Sequence, residues 1–301
     1  MTAENSTWTL VQRCVLTEDS RRQPLYARGG TPTSRTSLSL DAGELVTFDT
    51  YFGGFPAGYW TAYTPVDQLR LTLSVEGSAL VSVRATDRRG TASTLSSTAV
   101  SDAVVNLDVP LTVDLAWVWV EVTADTMGAS VLDVGWEVRE APRRAVRATV
   151  AITTFNREED CIRLLEVLAT MPEAIDTIVV ADQGTRRVQA ANGFAAVNAS
   201  LGARLRLIEQ ANLGGSGGFS RGMIEALEGR STHVLLLDDD VDLEPESLAR
   251  LLAFAAHSTE SHIVGAQMLS LIEPTRLYSF GEHVSRRGFW WGPVVPSLSA
   301  L

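Results

Sequence analysis

The chain has 301 residues, 45% hydrophobic and 20% charged, which is an ordinary profile for a globular protein with room for two domains. Its formal net charge of −11 argues against nucleic acid as a partner. An acidic chain that binds a polyanionic ligand needs a metal ion, an arginine or a helix N-terminus at the binding site.

Cysteine use and hydropathy indicate the compartment. Cys14 and Cys161 lie far apart, which predicts reduced thiols rather than a disulfide framework or a cysteine metal site. The first residues lack the basic and apolar regions of a signal peptide, and the apolar stretch at 104–122 is broken by charges and a proline. We therefore expect a cytoplasmic protein whose membrane contact, at the inner face of the plasma membrane, would be peripheral.

Residues 1–140 alternate apolar and polar side chains, as in 69–75 and 79–85, with turn signals between the runs. A period of two without a convincing helical stretch predicts a jelly-roll-like β-sandwich. The segment at 50–60 is rich in aromatic residues and glycine. Exposed rings there would suit sugar stacking, whereas buried rings would plug the sandwich or its junction with the next domain; the second interpretation is favoured.

The basic, proline-containing stretch at 141–148 predicts a linker, and after it the period changes. Strands are predicted at 148–153, 175–181, 205–208, 234–238 and 263–268, alternating with helices at 158–170, 187–199, 219–227 and 245–257. This alternation predicts a mainly parallel, Rossmann-like α/β domain over 149–301. Such sheets bind ligands at the carboxyl ends of their strands.

Polar side chains follow the first two of these strands. Asn156 and Arg157 could hold a pyrimidine edge and a phosphate, although Asn156 could also simply cap the next helix. Asp182 and Gln183 could bond a base or ribose, with Gly184 giving the turn. An ordinary strand–loop–helix connection would have the same pattern, so each motif alone is weak.

A glycine segment, QANLGGSGGFSRGM at 210–223, follows the third strand and has four glycines in five residues. Glycines opening a helix let backbone amides approach a ligand and direct the positive helix end at it. The spacing is neither that of the dinucleotide fingerprint nor that of a P-loop. The flanking Asn212 and Arg221 favour a donor-sugar or phosphate site over a flexible connector.

The fourth strand runs into an acidic cluster, VLLLDDDVD at 234–242. Adjacent carboxylates repel one another unless a cation neutralises them. Alternation places Asp238 and Asp240 on one side and Asp239 on the other, so the first two form a pair of hard oxygen ligands for Mg²⁺ or Mn²⁺ bridging a diphosphate. The apolar strand predicts an interior position in the sheet, which argues against an acidic surface loop.

Together these features resemble the inverting GT-A fold of glycosyltransferase family 2, whose metal motif is Asp-x-Asp at the end of a strand. The closer resemblance is to the polymerising UDP-galactofuranosyltransferases of actinobacterial cell-wall galactan synthesis. It rests on YFGGFPAGYW at 51–60, FNR at 155–157, NLGGSGGFSRG at 212–222 and DDD at 238–240.

The motifs and this resemblance predict a set of ligand-binding residues. The donor-binding residues are Arg157, Asp182, Gln183, Asn212, Gly214, Gly215 and Asp238, and the metal ligands are Asp238 and Asp240. The resemblance implies inverting, Mn²⁺- or Mg²⁺-dependent transfer from UDP-galactofuranose to a lipid-linked galactan, by a protein that is a homo-oligomer in the full-length family. Alternatives are a family 2 enzyme with another nucleotide-sugar donor and a carbohydrate-binding protein without turnover.

The resemblance also places the family's catalytic carboxylates and a metal-binding histidine downstream of Leu301. We therefore expect a GT-A domain truncated at its C-terminal end, in which the catalytic residues are unknown. Such a chain would transfer sugar poorly, because general-base assistance typically contributes about 10²–10⁴-fold in rate.

Overall fold

The structure is a computed structural model that describes residues 8–171, 175–279 and 281–294. The chain divides into two compact units, one formed by Met1–Arg143 and Ala249–Leu301 and the other by Arg144–Leu248. The first division lies in the predicted linker, whereas residues from Ala249 onward group with the first unit. Among the described residues, no helix is both long and apolar enough to cross a membrane.

The first unit is mainly antiparallel β-sheet. Its elements before the second unit are β1 (Thr9–Arg13), β2 (Thr31–Pro32), β3 (Ser37–Leu40), β4 (Leu45–Thr47), helix α1 (Ala57–Tyr63), β5 (Gln68–Asp87), β6 (Ala92–Pro110) and β7 (Leu115–Val138). The strands join in the order β2-β3-β7-β5-β6, with β1 and β4 also paired to β7. The predicted β-domain is therefore observed, and its jelly-roll-like connectivity stays a prediction.

The core of this unit follows the period-two pattern. Strands β5 and β7 pair antiparallel from Leu69 opposite Val138 to Asp87 opposite Leu115. Leu69, Leu71 and Leu73 are all buried, while the residues between them are partly exposed. Because successive side chains of a strand point to opposite faces, alternate residues of these strands form one apolar core.

The aromatic segment at 50–60 belongs to this core. Phe55 is fully buried and Trp60 nearly so, with ring centroids 5.3 Å apart. The interpretation that rings of this segment plug the core is confirmed for Phe55 and Trp60, whereas Tyr59 is 58% exposed. The expectation of no helix in this half is wrong, because residues from Ala57 form α1. Helix α1 has only seven residues, which is too short to show a helical period in the sequence.

The second unit is a parallel α/β unit. It comprises β8 (Ala148–Thr154), α2 (Glu158–Ala169), β9 (Ile175–Asp182), α3 (Phe194–Leu201), β10 (Leu205–Glu209), α4 (Gly214–Glu228) and β11 (His233–Asp238). The strand order is β10-β9-β8-β11, and every pair is parallel. The chain builds outward from β8 to β10 and then crosses back to β11, so the topological switch point lies between β8 and β11.

Two predictions in this unit need correction. The helix predicted at 187–199 is a short 3₁₀ turn followed by α3, because Gly193 between them has a φ of +86° that ends any continuous helix. Strand β11 lies at the edge of the sheet in the described part of the chain, not inside it. Val234 and Leu236 are accordingly 38% and 44% exposed.

The remaining elements are α5 (Pro245–His257) and two small antiparallel pairs, β12 (Met268–Leu269) with β13 (Leu277–Ser279) and β14 (Gly281–Ser285) with β15 (Trp290–Val294). The strand predicted at 263–268 is wrong, because residues 261–267 have no regular structure. Ile263 is fully exposed there, so the apolar pattern did not mark a buried strand. Phe254 of α5 packs edge-on against Trp60, with centroids 5.5 Å apart.

Candidate functional site

The second unit brings its strand-end segments together at one edge of the sheet. Thr154 at the end of β8 pairs with Asp182 at the end of β9, and Thr153 pairs with Asp238 at the end of β11. Helix α4 starts at the same edge, because a Cβ added to Gly218 would lie 2.3 Å from Cγ2 of Thr153. Four motifs that are separated in the sequence therefore share one location in the fold.

Asp182 holds the turn that follows β9. Its carboxylate is fully buried. Oδ1 accepts a hydrogen bond from the Gly184 amide at 3.0 Å, and Oδ2 accepts one from the Val188 amide at 2.9 Å. Backbone amides satisfy a buried carboxylate, so both oxygens already have a structural use. Direct contact between Asp182 and a donor stays a prediction.

Gln183 connects this turn to the start of α4. The buried side chain donates from Nε2 to the Gly214 carbonyl at 3.1 Å. Its Oε1 accepts from the Leu213 amide at 2.7 Å and from Nε2 of Gln210 at 3.2 Å. Gln183 therefore fixes the N-terminus of α4 relative to β9, and its predicted contact with the donor is not tested by these bonds.

The glycine segment is helical, which corrects the expectation that the helix begins at Phe219. Helix α4 includes the glycines from Gly214 onward. Cβ atoms at Gly218 and Gly222 would lie 2.3 Å from the Thr153 side chain and 2.4 Å from the Ala151 Cβ. These two glycines let the helix pack closely on β8.

Gly214 and Gly215 differ from the other glycines of α4. Both are exposed, and a Cβ added to either would meet no atom within 4 Å. Gly214 has a φ of +69°, and its amide donates to Oδ1 of Asn212 at 2.9 Å. The N-cap residue, Leu213, makes no side-chain capping bond. The exposed backbone of this first turn and the positive end of the helix dipole make the terminus suited to an anion.

The Arg221 side chain serves the packing of α4 and not ligand binding at its N-terminus. Its guanidinium pairs with the buried carboxylate of Glu225, at 2.8 Å, and Arg206 of β10 pairs with the same carboxylate. A buried carboxylate requires such partners. Arg221 therefore supports the packing of α4, and the flank that remains beside the exposed glycines is Asn212.

The acidic cluster shows the predicted alternation. Asp238 and Asp240 are exposed, whereas Asp239 is buried. Burial raises the pKa of the Asp239 carboxyl, and repulsion from Asp240 adds to the rise. The guanidinium of Arg157 forms an ion pair with the carboxylate of Asp240. A cation of this chain thus already lies beside one of the two predicted metal ligands.

The carboxylates after β11 fit one kind of metal site. Asp238 and Asp240 offer two exposed carboxylates, and within residues 8–171, 175–279 and 281–294 no group of three or more His, Cys, Asp and Glu side chains could hold a metal ion. Mg²⁺ is often bound through one or two carboxylates together with substrate phosphates. The pair fits such a shared site, and metal binding stays a prediction.

Cys161 lies on the buried face of α2. Burial raises its pKa to about 12, and the negative charges of Asp239, Asp182 and Asp160 contribute. The thiol stays protonated at neutral pH and is therefore not a nucleophile. Cys14 and Cys161 are both buried, and no disulfide joins them.

The loop after β8 contains a residue whose role the sequence left open. Asn156 does not cap α2, whose N-cap is Arg157 without a side-chain bond. The Asn156 backbone has a φ of +57°, and its Oδ1 accepts bonds from Thr185 and Arg186 in the turn after β9. An Asn directly after a strand was the available signal, since Asn tolerates left-handed backbone.

Comparison with known proteins gives two family matches and two similar curated proteins. Residues 13–139 match the family described as Galactofuranosyltransferase 2 N-terminal, and residues 142–288 match Glycosyltransferase like family 2. Galactofuranosyltransferase GlfT2 of Mycolicibacterium smegmatis is 39% identical over 276 residues, which cover 88% of this chain and 42% of that protein. GlfT2 of Mycobacterium tuberculosis is 38% identical, covering 88% of this chain and 43% of that protein.

The chain thus spans less than half the length of these curated relatives. Among solved structures, a point mutant of a carbohydrate binding module family 29 aligns with 44% of this chain and 90% of that chain, at 14% identity and a TM-score of 0.29. That score is too low to indicate a shared fold or ligand. Two consecutive family matches and two relatives near 40% identity agree, and together they show that the chain is similar to galactofuranosyltransferases along most of its length.

Proposed function

We propose that the second unit binds UDP-galactofuranose as the donor in a galactofuranosyl transfer. The observation that carries this proposal is the ion pair between Arg157, after β8, and Asp240, after β11. It spans the switch point of the parallel sheet, which is where open α/β sheets bind nucleotides. The names of the relatives support galactofuranose as the sugar.

The exposed start of α4 would receive the diphosphate. Gly214 and Gly215 leave the backbone uncovered, and the helix dipole favours negative charge there. Arg157 is 52% exposed in its side chain and would offer a forked donor to a phosphate oxygen. Asn212 lies exposed beside the same terminus. These groups supply the local positive potential that an acidic chain needs for a polyanionic ligand.

Asp238 and Asp240 would hold a Mn²⁺ or Mg²⁺ ion shared with the diphosphate. Such an ion, when bound, neutralises the phosphate oxygens and stabilises the departing UDP. Asp238 and Asp240 are the two exposed carboxylates that would hold the ion, whereas Asp239 between them is buried.

The finer parts of the proposal rest on the family resemblance. They are an inverting displacement at the anomeric carbon, a lipid-linked galactan as acceptor, a homo-oligomeric full-length protein and a location in the cytoplasm at the inner face of the plasma membrane. The acceptor hydroxyl would need a general base, and no residue is assigned to that role.

Calorimetric titration with UDP tests the donor site. We expect binding that requires Mn²⁺ and is lost in EDTA. Asp240→Asn should weaken Mn²⁺-dependent binding by about 1–3 kcal/mol, the scale of losing a charged hydrogen-bonding partner. Asp242→Asn removes the same charge two residues away and should leave the affinity within a factor of about two. Equal UDP affinity with Mn²⁺ and with EDTA would contradict the metal-dependent site.

A competition experiment tests the identity of the sugar. UDP-galactofuranose should displace UDP more effectively than UDP-glucose or a rhamnosyl nucleotide. Preference for another donor would leave a family 2 transferase of different specificity. Failure to bind any nucleotide, together with binding of galactan, would favour the carbohydrate-binding alternative.

A further inference from the structure

The amide of Asn156 connects two strand-end loops of the second unit. Its Oδ1 accepts hydrogen bonds from the Thr185 amide at 2.8 Å, the Arg186 amide at 3.0 Å and Oγ1 of Thr185 at 3.2 Å. Its backbone carbonyl accepts a further bond from the Arg186 guanidinium. One side chain after β8 thus binds three donors of the turn after β9.

The backbone of Asn156 is as specific as its side chain. Its φ of +57° is left-handed, a conformation that Asn and Gly adopt more readily than other residues. The next residue is Arg157, so this left-handed step determines where the Arg157 side chain leaves the loop. A change of backbone conformation at Asn156 would redirect Arg157 away from Asp240, with which it is paired.

Gly184 fits against this bridge. A Cβ at Gly184 would lie 2.8 Å from the backbone nitrogen of Asn156 and 2.8 Å from its Oδ1. Such distances require the backbone to move. The absence of a side chain at Gly184 therefore allows the two loops to approach closely enough for the Asn156 bonds to form.

The turn after β9, which Asn156 holds, is also hydrogen-bonded to the start of α4. Gln183 lies next to Gly184 and bonds the Leu213 amide and the Gly214 carbonyl. A displacement of the turn would therefore move the helix terminus as well as Arg157.

We propose that Asn156 is a positioning residue for the donor site: its amide oxygen and left-handed backbone fix Arg157 and the N-terminus of α4 in one geometry. This inference rests on the proposed function, because the geometry matters only if a nucleotide diphosphate binds there. Asn156 acts through Arg157 and Gln183.

The test separates the side chain from the backbone. Asn156→Gly keeps the left-handed conformation and removes Oδ1, whereas Asn156→Asp keeps an acceptor oxygen at the same place. We expect Asn156→Gly to weaken UDP affinity with Mn²⁺ by about tenfold, the scale of roughly one well-made hydrogen bond. Asn156→Asp should restore affinity to within about threefold of the unchanged chain.

A matched control separates a change in UDP affinity from a change in the stability of the fold. Asn198 is exposed on α3, and Asn198→Gly makes the same chemical change there. Each variant is titrated with UDP at a temperature where circular dichroism shows it folded. Asn198→Gly should lower the unfolding temperature without changing UDP affinity. A purely structural role for Asn156 would give this same pattern, with lowered stability and unchanged affinity.

A second variant, Gly184→Ala, disturbs the Asn156 hydrogen bonds from the turn after β9. If Asn156→Gly does not fold, Gly184→Ala pushes a methyl group against Oδ1 of Asn156 and should weaken UDP binding similarly. Normal UDP affinity in a folded Asn156→Gly or Gly184→Ala variant would overturn the positioning role and leave the proposed donor site intact. Absence of UDP binding by the unchanged chain would refute the proposed function, and the positioning role with it.

Discussion

The glycines of α4 divide into two groups, and substitution can separate them. Gly215 is exposed, and an added Cβ meets no protein atom within 4 Å. Gly215→Ala should therefore not destabilise the chain. Alanine is the better helix former, so the free energy of unfolding should rise by up to about 0.5–1 kcal/mol if the position behaves as helix interior. Any loss of UDP affinity in Gly215→Ala must then come from contact between the added methyl group and the ligand, not from a loss of stability.

Gly218 gives the opposite expectation. Its added Cβ would lie 2.3 Å from Cγ2 and 2.4 Å from Oγ1 of Thr153, inside the packed contact between α4 and β8. Overpacking of this kind typically costs about 1–3 kcal/mol. Gly218→Ala should lower the free energy of unfolding by that amount, and Gly222→Ala should do the same through its contact with Ala151.

The assay combines urea unfolding with calorimetric UDP titration in Mn²⁺. Gly215→Val adds bulk where a ligand would approach, and we expect it to abolish detectable UDP binding while the chain remains folded. Gly215→Ala should weaken binding less. Full UDP affinity in Gly215→Val would show that the open space over Gly215 is not the donor site.

Three further predictions concern other parts of the chain. Arg157→Ala should strengthen Mn²⁺ binding measured without nucleotide, because Asp240 loses a competing cation, and should weaken UDP binding; a parallel loss of both would contradict competition. Cys161, whose pKa is raised to about 12, should resist alkylation between pH 7 and 9 until the chain is unfolded in urea; rapid labelling of the native chain would show that the thiol is accessible. Trp60→Ala should lower the free energy of unfolding by about 3–5 kcal/mol, since Trp60 is 3% exposed in the sandwich core; a change below about 1 kcal/mol would return the aromatic segment to a binding role.

Much of the fold follows from sequence periodicity. The apolar runs at 148–153 and 175–181 became β8 and β9, and the amphipathic segment at 158–170 became α2, within a residue of the predicted ends. In these segments, most of the side chains at the apolar positions of the pattern are buried. The period therefore carries the information wherever one face of an element packs on a continuous core.

The errors arise where tertiary contacts override local preference. Glycine is a poor helix former, so residues 214–218 were expected to precede the helix. Close packing of Gly218 and Gly222 on β8 selects glycine inside α4 instead. Of the strand predicted at 263–268, only Met268 pairs with another strand in the described part of the chain, and Ile263 is fully exposed, which hydropathy alone could not show.

The candidate site was predicted in location but not in detail. The convergence of the segments after β8, β9 and β11 follows from parallel topology. The assignment of Asp182 and Gln183 as donor ligands could not include the bonds they make to the turn and to α4, because those bonds join residues far apart in the sequence. The role of Asn156 was ambiguous for the same reason.

The central claim is that a nucleotide diphosphate and a divalent cation bind at the strand ends of the second unit. Its most direct test is a crystal of the chain soaked with UDP and Mn²⁺, measured at the manganese absorption edge. We expect an anomalous peak coordinated by Asp238 and Asp240, with diphosphate density at the exposed start of α4. A manganese peak elsewhere, or UDP density away from this edge of the sheet, would contradict it.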